Sequence, residues 1–275
     1  MSFLIRFSLT FIVAATVYSC TPKPFAASNK QYKKQVKQLA KTISKIPKDS
    51  LMSDSMKLPE NWVGTINYGL RKPNIVIIHH TAQKNCEETV QSFTLNKSQV
   101  SAHYVICKDG TLFHMLNDYL RAWHAGVSKW GGQSDINSSS IGIEIDNDGN
   151  EVFSEAQLNC LLGLLTNLKK TYNIPTANFI GHSEIAPTRK VDPNVNFPWK
   201  RLAENGFGNW YDDTTGIEIP NGFNTTYALR IIGYDIHNLP AATQSFRRHF
   251  LSVDQPGEFT EPEKKVLFTL MKKYL

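Results

Sequence analysis

Asn74-Ile75-Val76-Ile77-Ile78-His79-His80 is the stretch whose reading decides the fold. The four residues Ile75 to Ile78 are all β-branched and leave no polar face. Such a run suits an interior strand covered on both sides, as in α/β proteins, and not a half-solvated hairpin. Downstream, residues 86–96 fit a helix. Ser101–Cys107 and Thr111–Met115 flank Asp109-Gly110, a hairpin signal because Asp-Gly accepts the positive φ of a tight turn. Ser140–Ile145 is a further strand and Phe179–Gly181 a short last one. Between them, Ser154 with Gln157 makes a capping box, and Leu158, Leu161, Leu162, Leu165 and Leu168 share one helix face that ends before Pro175. This alternation predicts an α/β domain at residues 61–214, a central mixed β-sheet flanked by helices.

A Gly- and Asn-rich stretch near 215–224 opens a second unit, residues 215–275. It offers three helical segments, 225–234, 240–251 and 261–274, the last opened by Thr260 with Glu263 three positions later. So few residues make a small core, stable mainly by leaning on the larger domain.

The N-terminus has a different character. Residues 1–19 run from a charged start at Arg6 through the apolar segment Phe7–Val17, well short of the ~20 residues that span a bilayer, which is the pattern of a secretory signal peptide. Val17-Tyr18-Ser19-Cys20 resembles a bacterial lipobox, which makes Cys20 the lipidated residue and 20–60 a tether. Thr21 follows Cys20, so no Asp retention signal is present, and the outer membrane facing the periplasm is expected. Of the chain's formal +6, residues 21–50 hold +7 from eight Lys against one Asp, and Arg6 adds one more. Residues 51–275 therefore total −2. The basic balance belongs to the tether and argues for an anionic membrane surface, not for nucleic acid. Val36, Leu39, Ala40, Ile43 and Ile46 recur at helical spacing, so 29–46 is either a basic amphipathic helix on lipid or a solvated spacer. Cys86, Cys107 and Cys160 remain, an odd number that precludes a complete disulfide framework; buried thiols are expected, with one disulfide left open.

A lone His is more often structural than a ligand, but position singles out two. His79 ends the buried strand and His182 follows the short one, so both project from one sheet edge, where clefts of open α/β sheets form. Asp192 follows His182 by ten residues. Two imidazoles and a carboxylate with an open fourth position make a catalytic zinc set. Glu144 points to the face opposite Ile143 and Ile145, an acid where alternation makes it deliberate.

Five blocks now carry a resemblance. Ile77-Ile78-His79-His80-Thr81-Ala82, Ser101-Ala102-His103-Tyr104-Val105-Ile106, Ala122-Trp123-His124-Ala125-Gly126, Ser140–Ile145 and Gly181–Pro193 together resemble the type 2 N-acetylmuramoyl-L-alanine amidases, relatives of the peptidoglycan-recognition proteins. The resemblance implies one Zn²⁺ per chain on His79, His182 and Asp192, Glu144 as general base and Lys190 facing the developing oxyanion. It places Tyr104 in the site lining, and with it His80, Thr81, Trp123, His124 and Arg189 become candidate substrate contacts. His80 is expected to turn toward the core or the cleft wall. His103 and His124 stay open between structure and substrate, and Trp123 and Trp130 between stacking and core. Residues 215–275 resemble a three-helix peptidoglycan-binding module, the alternative being a buttress that binds nothing. The implied activity is hydrolysis of the amide between N-acetylmuramic acid and L-alanine, in peptidoglycan or muropeptides, by a monomer in the cell envelope. A non-catalytic wall receptor and a zinc peptidase acting within the stem peptide are the rivals.

Overall fold

A computed structural model describes residues 24–44, 65, 67 and 69–275. The signal segment 1–19, Cys20 and the rest of the 20–60 tether lie outside the described residues, apart from 24–44. Contacts divide the chain into a unit before Asn67 and a unit Asn67–Leu275. The first contains helix α1 (Ala26–Ile43), which buries no side chain and carries Lys41 in its last turn. Its apolar stripe, with Leu39 and Ile43, is exposed. No helix among the described residues is long and apolar enough to cross a membrane.

In the second unit the order is β1 (Ile75–His80), α2 (Cys86–Thr94), β2 (Tyr104–Ile106), β3 (Leu112–His114), the short α3 (Ile136–Ser139), β4 (Ser140–Ile145), α4 (Glu155–Tyr172), β5 (Phe179–Gly181), the short α5 (His182–Ile185), α6 (Trp199–Glu204), α7 (Thr225–Ile232), α8 (Leu239–Phe250) and α9 (Glu261–Met271). The five strands form one sheet in the order β3-β2-β4-β1-β5. β1 lies parallel to both β4 and β5, β2 parallel to β4, and only the hairpin partner β3 is antiparallel. The mixed α/β sheet is the one the sequence predicts, and β1, with a partner on each side, is buried along its whole length.

Alternation then divides the strand residues between two faces. Val76, Ile78, Tyr104, Ile106, Ile141, Ile143 and Ile145 pack against Leu158, Leu161, Leu165 and Leu168 of α4. This helix starts on the expected Ser154 and Gln157 capping box and ends at Asn173, which adopts a left-handed conformation. On the opposite face Ile75, Ile77 and Ile180 pack with Leu229, Phe246, Phe250, Leu267 and Leu270 from α7, α8 and α9. The C-terminal helices thus share a core with the sheet, so the Gly- and Asn-rich stretch interrupts secondary structure without interrupting the packing.

Beside them on that face, Cys86, Val90 and Val105 form a small cluster under α2. Here Cys86 and Cys107 are joined in a disulfide, and Cys160 is the free cysteine among the described residues. This is the one disulfide the sequence leaves open: the first residue of α2 and the residue after β2 come to a Cα separation of 5.2 Å, a proximity that spacing in the sequence does not reveal.

Candidate metal centre and active-site cleft

The site lies where the parallel strands end, the position at which open α/β sheets form clefts. His79 pairs in register with Glu144, and β5 runs beside β1 with Gly181 opposite Ile78, so His182 leaves the sheet next to His79. Directly paired residues point the same way, which puts His79 and Glu144 on the face away from α4.

His79 Nδ1, His182 Nδ1 and Asp192 Oδ2 form a triangle with 3.0 Å edges. All three residues are buried, and among the described residues they are the group able to hold a metal ion. Burial, then the neighbouring His182, lowers the His79 pKa to about 4. Burial alone would raise Asp192, but hydrogen bonds from His182 and His79 outweigh it and hold the carboxyl well below its usual range. A neutral imidazole and an ionised carboxylate are the forms that bind metal.

The donor set suits zinc, with three protein ligands and room for a fourth. With a metal on Nδ1 of each imidazole, Nε2 would carry the proton and need an acceptor. His79 Nε2 reaches His124 Nδ1 at 3.0 Å, and His182 Nε2 reaches the Ala125 carbonyl at 3.2 Å. The chain continues outward: His124 Nε2 lies 3.0 Å from Ser140 Oγ, and the hydroxyl donates to the Ile136 carbonyl at 2.7 Å. Asn137 Oδ1 accepts from the backbone of both His124 and Ala125, fixing the loop that supplies the two acceptors. Gly142 makes this possible, since a Cβ there would stand 2.5 Å from the His124 ring.

The cleft over the triangle measures about 360 Å³ and is lined by His79, His80, Thr81, Trp123, His124, Glu144, His182, Arg189, Lys190 and Asp192, among others. Glu144 Oε2 is buried there without a protein partner, an orphaned acceptor facing the space beside the ligands. Burial, reinforced by Asp192 and opposed by Lys190, raises the Glu144 pKa well above that of an ordinary carboxyl.

Not every candidate reaches the cleft in the expected way. Tyr104 is a correction: it pairs with Ile143 and belongs to the core on the α4 face, where its hydroxyl donates to Asp118 at 3.0 Å. Its neighbour Val105 takes the site face, opposite Glu144. His80 turns to the cleft wall and accepts from the Asn194 backbone at 3.1 Å. Thr81 is tied to the Asn147 backbone, and Trp123 is half exposed at the rim. Trp130 is a core residue against Tyr234. Arg189 turns its guanidinium onto the Ala125 and Val127 carbonyls, bracing the loop that receives His182. His124 lines the cleft and is the inner link of the chain behind His79. Ser140 and Asn137 were not singled out by the sequence; a glycine inside the strand Ser140–Ile145 was the one signal that something packs closely there.

A family model described as N-acetylmuramoyl-L-alanine amidase matches residues 69–195. N-acetylmuramoyl-L-alanine amidase AmiD of Escherichia coli (strain K12) is 29% identical over 231 residues, which cover 73% of this chain and 83% of AmiD. The 1,6-anhydro-N-acetylmuramyl-L-alanine amidase AmpD of Haemophilus influenzae is 38% identical over 104 residues, 38% of this chain and 56% of AmpD. Among solved structures, AmpDh3 from Pseudomonas aeruginosa aligns with a TM-score of 0.67 at 29% identity, covering 80% of this chain and 99% of that one. E. coli AmiD, in complex with anhydro-N-acetylmuramic acid-L-Ala-D-gamma-Glu-L-Lys, aligns with a TM-score of 0.66 at 27% identity, covering 81% and 97%.

Proposed function

We propose that this chain, whose residues 69–195 match the family model described as N-acetylmuramoyl-L-alanine amidase, is a zinc amidase that cleaves the bond between N-acetylmuramic acid and L-alanine in peptidoglycan or its fragments. The observation that carries this reading is the buried triangle of His79, His182 and Asp192 beside the unpartnered Glu144. A zinc ion held by His79, His182 and Asp192 would supply Lewis acidity toward water and the scissile carbonyl.

The remaining work falls to the chain's own groups. Glu144, made more basic by burial, accepts the proton of the attacking water at Oε2 and passes it to the departing L-alanine nitrogen. The Lys190 ammonium lines the same cleft and balances the negative charge that builds on the carbonyl oxygen. Trp123, half exposed at the rim, offers a flat surface for sugar or peptide, and His80 and Thr81 shape the wall. The relatives' ligands, anhydro-muramyl peptides in the E. coli and P. aeruginosa complexes, make soluble muropeptides the first substrates to test. Residues 215–275, with their resemblance to a peptidoglycan-binding module, would add contact with the intact wall. The signal segment would direct export, and the lipidated Cys20 with the Lys-rich tether would hold the enzyme, as a monomer, on the outer membrane facing the periplasm.

Incubating the chain with one equivalent of zinc and a muramyl peptide, read by mass spectrometry, tests the activity. Free peptide beginning at L-alanine is expected, and chelator should stop its release. Intact substrate would leave a wall receptor, and a cut inside the stem peptide would leave a peptidase.

A further inference from the structure

His182 sits on slender supports. It follows the three-residue β5 and opens the four-residue α5. Elements this short cannot fix a side chain by their own hydrogen bonds, because a single helical turn is unfavourable alone. A ligand must nevertheless be held to within about 0.5 Å. The restraint therefore has to come from elsewhere in the fold.

Two sets of contacts supply it. The Ser183 amide donates to the Asp192 carbonyl at 2.8 Å, which ties the second imidazole to the carboxylate ligand. The other set comes from α8. Ser245 Oγ donates to the Ser183 carbonyl at 2.9 Å, and His249 Nδ1 donates to Glu184 Oε2 at 2.8 Å. That same carboxylate oxygen accepts from the Gly181 amide at 2.6 Å, the residue immediately before the ligand. Glu184 and His249 are 1% and 4% exposed, so neither has water as an alternative partner. The His249 ring is stacked on Trp199, with centroids 4.0 Å apart, and Trp199 in turn closes the space over Gly181, where a Cβ would meet its Cζ2 at 3.0 Å.

We propose that α8 is part of the metal-binding machinery: His249 and Ser245 are positioning residues that hold the His182 turn in its ligand geometry through Glu184 and Ser183. This rests on the reading of His182 as a zinc ligand. It assigns the C-terminal helices a role in metal retention, whether or not they also touch the wall.

The test measures zinc affinity of the full chain by competition with a chromophoric chelator, alongside the melting temperature of the zinc-free protein and kcat and KM separately. His249→Ala should weaken zinc binding by about 10-fold, the low end for an outer partner of a ligand because it acts through Glu184, and KM should hold. His249→Asn, whose amide nitrogen takes the place of Nδ1, should recover most of the affinity. Ser245→Ala removes only a hydroxyl, so it reads the other bond from α8 to the same turn if His249→Ala does not fold; a weakening of about 2–10-fold is expected. Leu267→Ala, in the buried core of the same helices, should lower the melting temperature without moving zinc affinity. Wild-type affinity in Ser245→Ala, and in His249→Ala where that variant folds, would overturn the proposal. So would a loss in Leu267→Ala equal to that in His249→Ala. A wild-type chain that binds no zinc would instead overturn the reading beneath it.

Discussion

The two faces of the sheet are built from the same strands and obey different rules. Against α4, the residues of β1, β2 and β4 meet leucines, and the layer is almost wholly apolar. On the other face the same strands offer His79, Gly142 and Glu144, and the covering elements bury Glu184, His249, Ser245, Arg247 and Arg248. A buried apolar side chain needs only neighbours, whereas a buried polar one costs free energy until each donor or acceptor is met. The α4 face therefore tolerates sequence drift that conserves volume, and the site face is a set of linked hydrogen bonds. Glu144 Oε2, left without a protein partner where Glu144 lines the cleft, is placed as a group kept for substrate or water.

Substitutions on the two faces should separate chemistry from stability. The largest effect is expected from Glu144→Gln, which keeps shape and removes the proton acceptor. Amidase turnover should fall by about 10²–10⁴-fold while zinc stoichiometry, measured by elemental analysis, stays at the wild-type value; retained turnover would remove Glu144 as base. On the other face Leu161→Ala empties space in a fully buried position. It should cost about 2–5 kcal/mol in denaturant unfolding, with kcat of the folded fraction unchanged. A matching drop in kcat would mean that the faces are not independent.

The sequence made the first face legible almost completely. The β-branched run of β1, the leucine periodicity of α4 and its Ser154 cap are local signals, and local signals survive without a structure. The cluster of His79, His182 and Asp192 was legible too, because each member sits at a strand end or a fixed distance from one. What escaped were facts of register and of distant pairing. Tyr104 and Val105 differ by one position, and only the pairing of Val105 with Glu144 decides which of them faces the site. Cys86 and Cys107 meet through the placement of α2 over β2. His249 lies 65 residues beyond Glu184, and nothing in either neighbourhood announces the other.

A smaller effect tests the chain of hydrogen bonds behind His79. In Gly142→Ala the new methyl meets the His124 ring, and the ring can relieve the clash only by leaving either His79 or Ser140. Zinc affinity should weaken by about tenfold, at the lower end for an outer partner, with a modest fall in melting temperature. A Gly142→Ala variant that binds zinc as the wild type does would show that His124 carries no restraint.

The smallest effect should appear at Arg247 and Glu263, a polar pair of the C-terminal helices that serves the fold and not the site. Arg247, itself buried, donates to both carboxylate oxygens of Glu263 at 2.8 and 2.9 Å. Hydrogen bonds from Arg247 lower the Glu263 pKa from 4.5 to about 2. A folded-state value below the unfolded one means the carboxylate stabilises the protein fully above pH 4.5, and the contribution is lost as pH falls toward 2. Glu263→Gln should therefore lower stability at pH 7 by roughly 1.5 kcal/mol, the low end for a charged hydrogen bond because Glu263 keeps some water. The two melting curves should converge as the pH approaches 2, and a difference that persists there would assign the loss to packing of α9 instead of charge. Because this pair lies outside the cleft lining, kcat at neutral pH should not follow it, which would separate polar groups that hold the helices together from those that hold the ligand turn.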